Sequence, residues 1–291
     1  MTTALAERIN HCLICEAKNE PEAVLCCECS APMALIQEAV QQEREPCIIS
    51  IIGDTNVGKT VYLGFLLDML SKRGGDLEAI PKGAYSVNLQ QSVIGHLSHR
   101  MFPPKTPSEV DQWHWAYYQV APRGRGVGWF DLVMPDMAGE ALAAEVEAPK
   151  SYHVIHNLLA KSEGCIVLID AAVAGTGSPL PDFFGLKLMS YIDDMFAVKR
   201  GDKLDVPVAV VLCKADYCPD CFDNPHIFAR TNLNRTWNIC ETRFAKVEFF
   251  AASVVGSLAY GTDEDGNVVS VPLHCAPRGI LEPFQWLLSQ L

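Results

Sequence analysis

The chain has no apolar run near the roughly 20 residues that a membrane-spanning helix needs, and Met1–Asn10 lacks an apolar core. These two absences lead to the expectation of a cytoplasmic protein without a membrane span. Positive charge is also scarce. Lysine and arginine number 23 against 35 aspartate and glutamate, for a net charge of −12 and a pI of ≈ 5.1, which argues against a nucleic-acid or anionic-membrane partner. There is no internal repeat and no low-complexity tract. Cysteine, by contrast, is plentiful. Twelve of them in a chain with no apolar leader point to a reducing compartment, and 291 residues allow one sizeable core plus a small module.

The strongest local pattern is Gly53-Asp54-Thr55-Asn56-Val57-Gly58-Lys59-Thr60, which follows the apolar run Cys47–Ile52 and precedes the apolar segment Val61–Leu70. A buried strand enters, two glycines let the backbone curl so that successive N–H groups face phosphate oxygens, and an amphipathic helix leaves with its positive end toward the same anion. In such a loop Lys59 reaches the β- and γ-phosphates and the Thr60 hydroxyl ligates Mg²⁺.

Two further segments each follow an apolar strand. Trp129–Met134 runs into Asp136-Met137-Ala138-Gly139-Glu140, a D-x-x-G pattern in which a carboxylate can meet the water shell of Mg²⁺ and a glycine N–H the γ-phosphate. Val206–Leu212 runs into Cys213-Lys214-Ala215-Asp216. A carboxylate at Asp216 can accept both N1–H and N2–H₂ of guanine, a donor pair adenine lacks, while the stem of Lys214 lies along the base.

The order phosphate loop, D-x-x-G and [N/T]-K-x-D resembles the P-loop GTPases of the translation-factor-related class, over roughly residues 46–291. The resemblance implies an α/β fold, a P-loop three-layer sandwich with a mainly parallel sheet. It implies GTP or GDP and Mg²⁺ as ligands, held by the phosphate loop Gly53–Thr60, with Asp136 and Gly139 in the second switch and Lys214 and Asp216 reading the base. Ser253, in the strand-like Val247–Val254, matches the serine of the family's last motif. Thr106 is the candidate first-switch threonine and Mg²⁺ ligand, because a strand expected at Gln112–Val120 can pair with Val127–Met134 across the turn 122–126; an ordinary loop threonine is the alternative. Two departures stand out: Cys213 replaces the usual Asn or Thr, and Glu140 stands where Ras-like members place a water-orienting Gln. With Lys59 and Gly139, Glu140 makes up the candidate catalytic set.

Ahead of this segment lie Cys12-x-x-Cys15 and Cys26-Cys27-x-Cys29. Cys12, Cys15, Cys26 and Cys29 form two C-x-x-C knuckles suited to a closed tetrahedral Zn²⁺ site, with Cys27 a spectator. A disulfide or a metal-free ribbon is the alternative. Glu16, Glu20, Glu22 and Glu28 against Lys18 favour a protein-docking or structural role over phosphate binding. The organisation expected is a zinc ribbon at 1–32, a linker helix at 33–45 and a GTPase domain at 46–291.

Further expectations are helices at Val87–Arg100, Ser151–Ser162, Asp182–Val198 and Leu281–Leu291, a strand at Gly164–Asp170, a loop at Ala171–Pro181 and an inserted hairpin at Tyr260–Val269. Cys218-Pro-Asp-Cys221, with His226 and Cys240, reads as packing rather than a second metal or redox site. Trp113, Trp115, Tyr117 and Tyr118 read as core, and Arg123 and Arg125 as turn arginines that could instead serve another subunit. The ribbon, the Cys-Lys-Ala-Asp motif, the hairpin and Glu282–Leu288 are similar to the bacterial double-GTPase type of conflict or defence systems. That likeness implies a slow Mg²⁺-dependent GTPase switch with a protein partner, a second GTPase or a GAP-like protein. The alternatives are a nucleotide-sensing scaffold with little turnover and an ATPase.

Overall fold

In a computed structural model the described residues are 8–72, 76–122, 129–196, 202–262 and 268–291. Their framework is a seven-stranded sheet built from β1 (Cys47–Gly53), β2 (Leu77–Pro81), β3 (His114–Pro122), β4 (Phe130–Asp136), β5 (Gly164–Asp170), β6 (Val208–Cys213) and β7 (Val247–Ala251), in the order β2-β3-β4-β1-β5-β6-β7. Strands β4, β1, β5, β6 and β7 run parallel, and β3 and β2 add an antiparallel edge. A parallel core needs cover on both faces, so its strands are apolar on both sides. In β1, Ile48 and Ile52 join one buried cluster while Ile49 and Ile51 join the other.

One face is covered by α1 (Ala34–Gln42), α4 (Gly139–Glu147), α5 (His153–Lys161), α7 (Leu180–Phe196), α9 (Pro225–Asn232) and α10 (Asn234–Arg243). The other face is covered by α2 (Lys59–Ser71), α3 (Asn88–Ser98) and α11 (Leu281–Gln290). The result is a three-layer α/β sandwich of P-loop type. Helix α2 is not amphipathic, as its sequence suggests, but buried nearly all round from Tyr62 to Leu70. The reason is α3, whose Val93 lies so close to Gly64 that a β-carbon there would come within 2.6 Å of it.

Three segments differ from the sequence expectation. The loop expected at Ala171–Pro181 contains a one-turn helix, α6 (Ala171–Gly175), because the Asp170 carboxylate accepts the Val173 N–H at 3.0 Å and caps it. Strand β2 was not foreseen; it is five residues long and ends at Pro81, as an edge strand can. The hairpin is longer than expected and begins at the sheet: β8 (Ser253–Thr262) pairs with β9 (Val268–Arg278) as a separate two-stranded unit. The remaining short helix, α8 (Pro219–Asp223), follows the Cys213–Asp216 segment. The turn with Arg123 and Arg125 lies outside the described residues.

The N-terminal segment packs against the sheet rather than standing apart. Cys12, Leu13, Ile14, Ala31, Leu35, Ile36 and Ala39 belong to the same buried cluster as β1 and α5. The Lys161 ammonium, at the end of α5, donates to the Leu13 carbonyl at 3.1 Å and pairs with Glu16 at 2.8 Å. Trp113, Trp115, Tyr117 and Tyr118 are buried, as expected of core aromatics.

Candidate functional site

Ligands of parallel α/β sheets bind beyond the carboxyl ends of the strands. Here β1 ends at Gly53, β4 at Asp136, β5 at Asp170 and β6 at Cys213, and the elements that follow enclose a cleft of about 640 Å³. The phosphate loop lies at one end and the Lys214–Asp216 motif at the other.

The loop's backbone explains its glycines. Gly58 sits at φ 100°, open to glycine and strained for other residues, while Asn56 takes a left-handed φ of 62°, which asparagine tolerates. A β-carbon on Gly53 would stand 2.7 Å from the Leu168 carbonyl oxygen. Thr55 N–H donates to the Asp54 carboxylate at 2.7 Å, and Val57 is buried beneath the loop. The Lys59 ammonium donates to the Gly53 and Asp54 carbonyls at 2.9 and 2.8 Å. Burial pushes its pKa down to about 8, against the pull of the Asp136 and Asp54 carboxylates. An ammonium so desolvated gains most from an incoming anion.

Beside the loop, three oxygen-bearing side chains from distant positions converge. Thr106 Oγ1 donates to Asp136 Oδ2 at 2.9 Å and lies 2.9 Å from Thr60 Oγ1, which in turn donates to Asp136 Oδ1 at 3.3 Å. Asp136 is almost fully buried, and burial pushes its carboxyl up while Thr106, Lys59 and Thr60 pull it down. Two hydroxyls and a carboxylate are the hard donors that suit Mg²⁺. The structure thus brings together Thr60, Thr106 and Asp136, all read from sequence as candidate Mg²⁺ ligands. Gly139 presses on the same place: a β-carbon there would meet Lys59 Nζ and Thr55 N at 2.7 Å. Glu140 is exposed and lines the cleft.

At the far end, Ser253 Oγ donates to Asp216 Oδ1 at 2.6 Å. A carboxylate has about four acceptor positions, so Asp216 keeps capacity for a base edge. Lys214, at a left-handed φ of 57°, ties its ammonium to Asp170 Oδ2 at 2.6 Å and leaves its stem as a flat wall. Asp170 was missed in sequence; the available signal was a carboxylate ending an apolar strand. Cys213 is buried, which pushes its thiol up to about 12 and keeps it neutral. The bracing it cannot supply comes from backbone: Ala215 N–H donates to Ala252 O at 3.1 Å, and Ala252 N–H to Leu212 O at 2.9 Å.

A second constellation lies in the N-terminal segment. The sulfurs of Cys12, Cys15, Cys26 and Cys29 all lie within 4.8 Å of one another, the one cluster of metal-ligating side chains found among the described residues. Tetrahedral Zn–S bonds of about 2.3 Å place sulfurs about 3.8 Å apart, so the four positions fit Zn²⁺. Ile14 N–H points at Cys12 Sγ (3.3 Å) and Glu28 N–H at Cys26 Sγ (3.4 Å), stabilising thiolates. Cys27 is exposed and outside the cluster. Cys218 and Cys221 take no part in one. His226 contacts Glu248 and packs against Trp237 and Phe249.

Residues 50–180 match the family model Double-GTPase 1. The match covers less than half of the chain, and this segment is similar to that family. The matched residues include the whole phosphate loop Gly53–Thr60, Thr106 and the D-x-x-G stretch, while the Lys214–Asp216 motif lies beyond them. Many solved chains are similar to this one. The Roco2 RocCORdC protein of Methanosarcina barkeri bound to GDP shares 15% identity over 72% of this chain and 43% of its own, with a TM-score of 0.35. Nucleolar GTP-binding protein 1 of Plasmodium falciparum shares 11% over 84% and 86%, with a TM-score of 0.41. The Ski7 GTPase-like domain of S. cerevisiae bound to GTP shares 15% over 84% and 50%, also at 0.41. This chain therefore spans half or less of the Roco2 and Ski7 chains. None of the curated proteins matches the sequence.

Proposed function

We propose that this chain is a double-GTPase-like, Mg²⁺-dependent GTP-binding switch with slow hydrolysis, fused to a zinc ribbon and acting with a protein partner, a second GTPase or a GAP-like protein, in a bacterial conflict or defence system. The observation that supports the nucleotide reading best is one cleft with Thr60, Thr106 and Asp136 meeting at its phosphate end and Lys214, Asp216 and Ser253 at its base end.

In this reading the loop N–H groups and Lys59 bind the phosphates, and Asp216 selects guanine. Thr60, Thr106 and Asp136 would hold Mg²⁺, which when bound neutralises charge on the β- and γ-phosphate oxygens. Thr106, on the first switch, and Gly139, on the second, both touch this end of the cleft, so loss of the γ-phosphate would release both segments. Cys12, Cys15, Cys26 and Cys29 would hold a structural Zn²⁺.

Glu140 makes the switch slow. A carboxylate accepts a hydrogen bond from water but donates none to a γ-phosphate oxygen, and its charge repels that phosphate. Single-turnover hydrolysis is expected near the intrinsic Ras scale, on the order of 10⁻⁴–10⁻² s⁻¹, rising with a partner. Glu140→Ala should change this rate with little effect on GTP affinity, whereas Lys59→Ala should abolish it through loss of nucleotide. Fast multiple turnover by dilute protein, unaffected by Glu140→Ala, would overturn the reading.

A further inference from the structure

Strand β8 begins at the residue that positions the base-reading carboxylate, since Ser253 donates to Asp216, and then leaves the sheet as one arm of the hairpin. Along a strand, alternate residues share a face. Leu258 and Tyr260 therefore point the same way, and their partners across the hairpin are Pro272 and Ser270. Leu258, Tyr260 and Ser270 all line the nucleotide cleft. Tyr260 is 69% exposed, a large side chain with most of its surface uncovered. Opposite it stands Tyr217, next in sequence to Asp216, 51% exposed and lining the same cleft. The two phenols are neighbours: the Tyr217 hydroxyl is pushed up by desolvation and next by Tyr260.

The base of the hairpin is fixed at its other strand as well. The Arg278 guanidinium lies 4.2 Å from the centre of the Phe222 ring. Just beyond it, Gly279 has φ +67°, and a β-carbon there would stand 1.9 Å from the Ala251 carbonyl oxygen. The arm is held where it emerges, so the positions of Leu258 and Tyr260 over the cleft follow from the sheet.

We infer that the β8–β9 hairpin is a purine clamp, with Leu258 and Tyr260 forming the wall that covers the base and ribose once Asp216 has read the base edge. This rests on the reading of the cleft as a guanine-nucleotide site. The clamp is a retention device: hydrogen bonds at Asp216 choose the base, and apolar and aromatic surface on the hairpin slows its escape. Cys213 gives it a purpose, because a base-reading loop without the usual side-chain brace gains from a second support on the ligand.

The test is dissociation of tritium-labelled GDP from the full chain after a chase with unlabelled GDP. Leu258→Ala with Tyr260→Ala should raise the off-rate roughly ten- to a hundredfold, the scale of a base stacked on one aromatic side chain, while the preference for GTP over ATP persists because Asp216 is intact. Leu273→Ala, also on the hairpin but not lining the cleft, should stay within about twofold of wild type, the resolution of the comparison. A double variant that melts like wild type and releases GDP at the wild-type rate would overturn the clamp. Hydrogen exchange on the unmodified chain gives a second readout: GDP should protect the amides of residues 254–260, and unchanged exchange there would also overturn it. Failure of the wild-type chain to bind any guanine nucleotide would instead refute the reading of the cleft, and the clamp with it.

Discussion

Asp216→Asn should weaken GTP by roughly 2–4 kcal/mol, the scale of losing a charge-assisted pair and leaving mismatched polar groups at a base edge. The carboxylate is placed for this by Ser253 at 2.6 Å and by the backbone bonds that tie Ala215 to Ala252. The amide presents one acceptor and one donor, so it opposes one of guanine's two donors and suits the xanthine edge better. Xanthosine triphosphate should therefore gain as GTP loses. Competition binding reads both changes, and unchanged GTP affinity in the variant would remove Asp216 from base recognition.

Loss of the proposed Zn²⁺ at Cys12, Cys15, Cys26 and Cys29 should be felt well outside residues 10–30. An isolated knuckle would simply unfold on chelation. Here Leu13, Ile14, Ala31, Leu35 and Ile36 share a buried cluster with Val154, Ile155 and Leu158 of α5 and with Ile48 of β1. Cys12→Ser combined with Cys29→Ser, or prolonged chelation, should lower stability by several kcal/mol and the melting temperature by about 10 °C or more. Val57, Leu63, Leu66 and the rest of α2 pack in the cluster on the opposite face of the sheet, so nucleotide binding should survive at low temperature. Protein purified without chelator that contains no zinc, or a melting temperature indifferent to both substitutions, would refute this.

The sequence made the cleft end of the molecule legible because each motif there is local. A phosphate loop needs its glycines, lysine and threonine within eight positions, and the strands before it, before Asp136 and before Lys214 are apolar runs of the length a buried parallel strand requires. Thr106 was harder to see, because only the fold carries it 30 residues along the chain to the Asp136 carboxylate. Strand β2 is five residues at an edge, too short for a clear period. Asp170 was missed because, although its cap on α6 is local, its other duty, anchoring Lys214, depends on a neighbouring strand 44 residues along the chain. The hairpin was visible only through the Asp265-Gly266 pair in the sequence; that its arm lines the cleft depends on where β7 ends, at Ala251.

The central claim is that the cleft selects guanine through Asp216. Its most direct test is equilibrium competition of GTP, GDP and ATP for the Mg²⁺-loaded wild-type chain. The account predicts that GTP and GDP bind and that ATP binds at least about a hundredfold more weakly, the ratio expected when a carboxylate built for two donors meets a base offering none there. ATP binding as tightly as GTP would contradict it.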